Sequence, residues 1–318
     1  MGIKGLSKLL EQEGLLKKIN IKSLAHKKIA IDISILLYQI VISIRNSGDD
    51  IRNNKGEVIS HILGLFNKTI FLIQNKITPI FIFDGKPPDF KNNTINNRKK
   101  IRSNAEEKYK ETKDEKERIK YFKRSTHITS QQIEQSKELL DLMGVPYLQA
   151  DGEADVLCAK LSEEGYVDYV YTEDMDILTF GASKIIKNLF TKGSKNIYVI
   201  DKLAILKKFD LTYNQFVIFC IFLGCDYHSL KCTLDKTKIL NIVKSYEFFS
   251  DFTFDNKKLD SEKIKNIFNY FTSKLELEDI NIKIKNPSSD LQNVLVKRYN
   301  LQKQKISYKI NILKKQSL

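Results

Sequence analysis

Seven acidic side chains sit in or against apolar strings, where acids are costly. Asp32 lies in KKIAIDIS, Asp84 ends PIFIFDG and Asp226 follows FCIFLGC. Glu153 and Asp155 stand two apart in QADGEADVLCAKL, as do Asp174 and Asp176 in YVYTEDMDILTFG. Taking an unpaired carboxylate out of water costs several kcal/mol. Each one alone has an ordinary explanation: a DxD string is commonly a turn, GEAD a helix start, Asp32 a strand-end acceptor. Seven together, in a chain of formal net charge +14, point to a shared cation, and a hard divalent metal is the cheapest one.

One chemistry such a cluster can support is phosphodiester cleavage. Two Mg2+ ions about 4 Å apart activate a water and steady the leaving oxygen. Mg2+ keeps several of its waters, so acids beyond direct ligation are expected too. The Asp174/Asp176 spacing suits a strand end, where alternate side chains project to one side. The Glu153/Asp155 pair suits a helix N-terminus, where acids favour the dipole. Zinc is not expected. His26, His61, His127 and His228 show no ligand spacing, and Cys158, Cys220, Cys225 and Cys232 form no CxxC. Four cysteines make no disulfide framework and fit reduced thiols of an intracellular, non-secreted protein.

The elements that would position these acids read as α/β. LSKLLEQEG is a short amphipathic helix, and KKIAIDISI a buried strand. Residues near 58–75 carry apolar residues at helical spacing, and TPIFIFDGKPP is a strand stopped by Gly85 and Pro87-Pro88. Strand, helix, strand implies a parallel pair, with Asp32 and Asp84 leaving at its carboxyl edge. Residues 128–143 predict an amphipathic helix stopped by Gly144, then a strand in VPYLQA. KIIKNLF and KNIYVI read as further strands and 212–250 as helical. The C-terminal third is less regular and ends in a basic tail.

The 318 residues suffice for one large or two modest domains. No apolar run approaches the ~20 residues that span a bilayer. MGIKGLSKLL lacks a secretory signal's apolar stretch, and Leu6 stands where a myristoylation motif wants Ser or Thr. The basic excess favours a polyanionic partner. Its placement says more: between 91 and 124 thirteen Lys and Arg residues face six acids. That is either a solvated helical hairpin or a basic arch beside the acidic edge, and its place directly after Asp84 favours the arch.

MGIKGL, IAIDIS with LLYQ, FIFDGKPP, GEADVLCAKL, TEDMDILTFG and FLGCDY, in this order, resemble the motifs of the flap endonucleases. These belong to the structure-specific 5′-nuclease family that includes the xeroderma pigmentosum G nuclease. The resemblance runs from residue 1 to roughly 250. It implies a PIN-like, mixed and mainly parallel central sheet flanked by helices, with a helical arch and a helix-turn-helix. It divides the chain into an N-terminal nuclease region (1–105), an overlapping basic arch (91–130), an internal nuclease region (122–250, helix-turn-helix about 212–250) and a C-terminal extension (251–318).

The resemblance also implies roles. Asp32, Asp84, Glu153, Asp155, Asp174, Asp176 and Asp226 match the family's active-site carboxylates, holding two Mg2+, with Mn2+ a plausible substitute. Lys91 and Arg98 match the basic residues at the scissile phosphate. Tyr38 matches an aromatic residue that stacks on a base, and Arg45 a basic residue near duplex and flap. Gly2 matches a processed N-terminus packed close to the active site. Lys236 and Lys238 are placed to meet duplex phosphates. The substrate implied is double-stranded DNA branched at a 5′ flap, the enzyme a monomer, the compartment the nucleus.

Three departures temper this. Asp155 stands where the family usually has Glu, shorter by roughly 1.5 Å of reach. In SLKCTLDKTKILNIVKSY the family's Gly-rich turn is absent, with Cys232, Leu234 and Asp235 in its place. Backbone approach to phosphate is worse without glycine, which argues against K+ binding there. KISYKINILKKQSL carries no sliding-clamp motif, so weak or absent clamp binding is expected; QFVIFCIF from Gln215 resembles one but reads as a core helix. Three rivals stay open at this point: a 5′-3′ exonuclease of the same family, a non-catalytic junction-binding protein, and an RNA-processing nuclease of PIN-like fold. The intact acids argue against the second, the length and basic segment against the third.

Overall fold

A computed structural model of the chain describes residues 2–190, 196–227, 235–245, 253–254, 257–258, 261–277, 280 and 282–316. Along the chain, α1 (Leu6–Gln12) and β1 (Lys17–Ile19) come first. β2 (Lys28–Asp32) runs directly into α2 (Ile33–Arg45), and α3 (Ser60–Gln74) leads to β3 (Thr78–Phe83). Then come α4 (Asn92–Glu111), α5 (Glu115–Arg124), α6 (Ser130–Met143) and β4 (Tyr147–Gln149). α7 (Ala154–Glu163), β5 (Tyr169–Tyr171), β6 (Lys184–Lys187), β7 (Ile197–Asp201), α8 (Lys202–Phe209) and α9 (Tyr213–Leu223) follow. The last helices are α10 (Lys236–Ser245), α11 (Ser261–Phe271), α12 (Leu291–Asn293) and α13 (Lys303–Gln316). They form two compact units: Met1–Asn20 with Asp155–Glu278, and Ile21–Ala154 with Asp279–Leu318. These boundaries differ from those read along the sequence, because β1 pairs with β7 and the last helices pack on α3.

In the second unit β2, β3 and β4 are parallel neighbours, with Asp32 opposite Ile82 and Phe83 opposite Gln149. Parallel strands are covered on both faces, so they read as unbroken apolar runs, and Ile29–Ile31 and Ile80–Ile82 are wholly buried. The strand expected over KKIAIDISI stops at Asp32. Its carboxylate accepts the N–H groups of Ser34 (2.7 Å) and Ile35 (3.2 Å) and so caps α2. The cap overrides the strand preference of Ile33 and Ile35, and a helix over 33–45 went unread for that reason. α4 and α5 form a helical hairpin with Tyr109 stacked on Phe122 at 5.0 Å. α6 starts with a capping box from Thr129 and Gln132 and stops at Gly144, as its sequence predicts.

The C-terminal segment is more than a basic tail. α13 buries Ile306, Ile310 and Leu313, a spacing of four and three that makes one apolar stripe. Lys309 donates from its Nζ to Asn67 Oδ1 of α3 at 2.5 Å. The lysines dominate the composition and mask the stripe.

The first unit holds β5 parallel to β6, with β6–β7 and β7–β1 antiparallel. α9 is apolar all round, with Phe216–Phe222 buried, so the clamp-like string at Gln215 is core. Phe180, Tyr227, Tyr270 and Phe271 pack edge-to-face, the closest pair at 5.0 Å. Cys158, Cys220 and Cys225 are buried. The turn with Cys232 and Leu234 lies outside the described residues, and no described helix is long and apolar enough to cross a membrane.

Candidate active site

Each unit carries its own group of acids. In the second, Ser34 Oγ donates to Asp84 Oδ2 at 2.6 Å while its N–H donates to Asp32. One serine therefore bridges the two strand-end carboxylates. Asp84 Oδ1 accepts the N–H of Ala154 at 2.9 Å, at the start of α7. Past the strand ends, Gly85 N–H donates to Gly152 O (2.6 Å) and Lys86 N–H to Asp151 O (3.0 Å). A Cβ on Gly85 would collide with the carbonyls of Ala150 and Asp151. Gly85 thus admits the close approach of the segment bearing Glu153, besides ending β3. Glu153 is buried, and the Lys91 ammonium pairs with its Oε1.

Lys91 immediately precedes α4, and Arg98 lies seven residues further, inside that helix. Tyr38 on α2 is 36% exposed. Arg45, two turns along α2, is engaged otherwise. Its fork holds both oxygens of Asp50 at 3.0 Å, and its Nη1 donates to Phe122 O (3.1 Å) and Thr126 Oγ1 (3.2 Å). The guanidinium also lies 4.1 Å from the Phe122 ring centre. The protein itself takes up this arginine, and it ties the end of α5 to the end of α2.

In the first unit, oxygens of Asp174, Asp176 and Asp226 all lie within 4.8 Å of one another. The DxD pair does not sit on a strand: β5 ends at Tyr171, and Asp176 opens a 3-10 turn, Asp176–Leu178. The pair converges because Asp174 Oδ1 accepts the N–H of Asp176 at 3.2 Å, a local turn bond rather than strand alternation. Asp155 lies in the first turn of α7, as its spacing implies. Gly2, at φ +79°, presses on this group: a Cβ there would overlap Asp174 Oδ1 and stand 3.0 Å from Asp176 Oδ1.

Burial and then the charge of Asp176 push the Tyr227 hydroxyl and the Cys220 thiol far above their ordinary range; Asp155 and Asp174 add to the effect on Tyr227. Negative charge is thus concentrated at a partly buried, all-oxygen donor set. That set fits a hard divalent ion such as Mg2+ or Mn2+ and not a thiophilic one. Lys236 donates to Gly5 O at 3.1 Å, and the N–H of exposed Lys238 caps onto Asp235 at 3.1 Å. That N–H, first among the causes, holds Asp235 below the usual carboxylate range. Ser34 was missed in the sequence; the cap signal in IAIDIS belongs to Asp32, and nothing there marks the serine as a partner of Asp84.

Residues 1–105 match the XPG N-terminal domain and residues 144–226 the XPG I-region. The chain is similar to Flap endonuclease 1 of Caenorhabditis briggsae, with 39% identity over 254 residues, 78% of this chain and 66% of the relative. For Flap endonuclease 1 of Danio rerio the identity is 38% over 253 residues, 77% of this chain and 67% of the relative. The match thus spans about two thirds of the length of these relatives. Among solved structures, flap endonuclease-1 from Methanococcus jannaschii superposes with TM-score 0.72 at 25% identity, covering 95% of this chain and 96% of that one. The catalytic core of Rad2 in complex with DNA substrate superposes with TM-score 0.74 at 22% identity over 98% and 100%, a likeness of fold. Fold and structural neighbours together define a PIN-like fold, here with a group of acids in each unit. The chain belongs to the XPG family, with the flap endonucleases.

Proposed function

We propose that this chain is a structure-specific 5′ flap endonuclease, hydrolysing DNA phosphodiesters at branched junctions in replication and repair, in the nucleus by analogy with its family. The observation that carries the reading is the oxygen cluster of Asp174, Asp176 and Asp226 in a chain whose relatives bear that name. When bound, a pair of Mg2+ ions supplies an activated water and charge neutralisation at the leaving oxygen. We assign Asp32, Asp84, Glu153, Asp155, Asp174, Asp176 and Asp226 to holding that pair, some of them through water.

Lys91 and Arg98 are assigned to the scissile phosphate. The pairing of Lys91 with Glu153 supports this, since it keeps an ammonium beside the carboxylates until an anionic substrate arrives. Tyr38 offers a face for base stacking, Gly2 leaves the space a side chain would fill, and Lys236 and Lys238 are assigned to duplex phosphate. Arg45 is assigned to holding the helical hairpin, because its donors are engaged within the protein.

The test is an end-labelled 5′-flap DNA with Mg2+, with EDTA, and with the flap end blocked. Cleavage at the junction with Mg2+, none with EDTA and strong inhibition by the block are expected. Cutting in EDTA, or equal cutting of blocked and open flaps, contradicts the reading.

A further inference from the structure

Behind the turn that carries Asp176, the first unit buries a lysine. Lys202 opens α8 and is 9% exposed. Its Nζ donates to Gly181 O at 2.7 Å, lies 4.8 Å from the centre of the Tyr213 ring and stands 3.9 Å from Glu163 Oε1. Burial is the largest influence on its pKa and draws it down, against Glu163 and Asp201, which raise it. Tyr213 opens α9 and donates its hydroxyl to Thr179 O at 2.7 Å. Thr179 is wholly buried and donates its N–H (2.9 Å) and Oγ1 (2.6 Å) to Asp176 O. Behind the turn that carries Asp176, the carbonyls of Thr179 and Gly181 are therefore held by side chains from two different helices, α9 and α8.

An ammonium is an expensive way to fill buried space, since it must be dehydrated. An apolar side chain at 202 would avoid that cost and leave Gly181 O without this donor. A lysine here therefore makes sense if holding that carbonyl matters more than the cost of burial. A buried carbonyl that loses its donor shifts to find another, and the turn would carry Asp176 with it.

We propose that Lys202 and Tyr213 are positioning residues for the metal centre. Together they fix the turn from Asp176 to Gly181 and so set how tightly Asp174, Asp176 and Asp226 hold a divalent cation. Neither residue is among those assigned to substrate or ion under Proposed function. The proposal rests on the reading of that cluster as a metal centre given under Proposed function.

Calorimetric titration of the full chain with Mn2+, without DNA, tests it in the parent, K202M, Y213F and the surface control K184M. K202M and Y213F are expected to bind Mn2+ on the order of tenfold more weakly, the low end of what losing an outer support costs a metal site. The Mg2+ concentration for half-maximal flap cleavage rises in proportion, while kcat at saturating Mg2+ stays near the parent's. K184M matches the parent. A lowered Tm with unchanged Mn2+ affinity in both variants would overturn the proposal and leave a role in stability alone. Should K202M fail to fold, Y213F, which removes one hydroxyl, decides the matter. A parent that binds Mn2+ yet cuts no flap defeats the flap reading and leaves the calorimetry to decide on positioning; a parent that binds no Mn2+ defeats both.

Discussion

Gly2 shows how little room the acidic cluster leaves, since no side chain fits between its backbone and Asp174. Arg45 shows the opposite use of a residue, a cation neutralised by its own protein. With Asp50, Phe122 and Thr126 around it, and a side chain only 15% exposed, Arg45→Ala is expected to cost about 2–3 kcal/mol, the worth of hydrogen bonds to a charged group. Arg45→Lys should recover little, because an ammonium cannot reproduce the planar fork. Urea unfolding measures both; a loss under 0.5 kcal/mol, roughly that of an exposed pair, would assign Arg45 elsewhere. The grouping of Asp174, Asp176 and Asp226 was legible in the sequence because acids beside apolar strings are anomalous. The partners of Arg45 were not, because Phe122 and Thr126 lie more than seventy residues away and a single sequence gives no sign of pairing.

At the scale of elements, β2 and α2 meet at one aspartate that ends a strand, caps a helix and shares Ser34 with Asp84. Sequence reading found the strand and missed the helix. Ile-rich residues suit either state, and only the cap decides. α13 was hidden likewise by its lysines. α3 and α6 meet through His61, wholly buried, whose Nε2 bonds Gln135 Oε1 at 2.8 Å. Burial holds this imidazole down at about 4, with the Gln135 bond opposing. As pH falls through 6.5 the unfolded chain takes up a proton that the folded chain refuses. Stability from this site is therefore complete above pH 6.5 and lost by about pH 4. The shift amounts to about 3 kcal/mol. His61→Gln, uncharged throughout, should flatten the fall of Tm between pH 6.5 and 4. Parallel curves for parent and variant would show that His61 does not carry it.

For the whole molecule, the fold class was legible because period-2 and 3.6 patterns survive without tertiary context. Unit boundaries were not, because strand pairing and docked helices ignore chain order. The central proposal is that both groups of carboxylates are needed for the metal-dependent cleavage proposed above. Cleavage of a labelled 5′-flap DNA by the parent, Asp84→Asn and Asp176→Asn, at saturating Mg2+ and with folding and DNA binding checked in parallel, tests it most directly. Both variants should bind the flap as the parent does and lose on the order of a thousandfold or more in rate, as expected when a charge-stabilising group is removed. Near-parental cutting by either variant would mean that one group of acids is dispensable, and would contradict the claim.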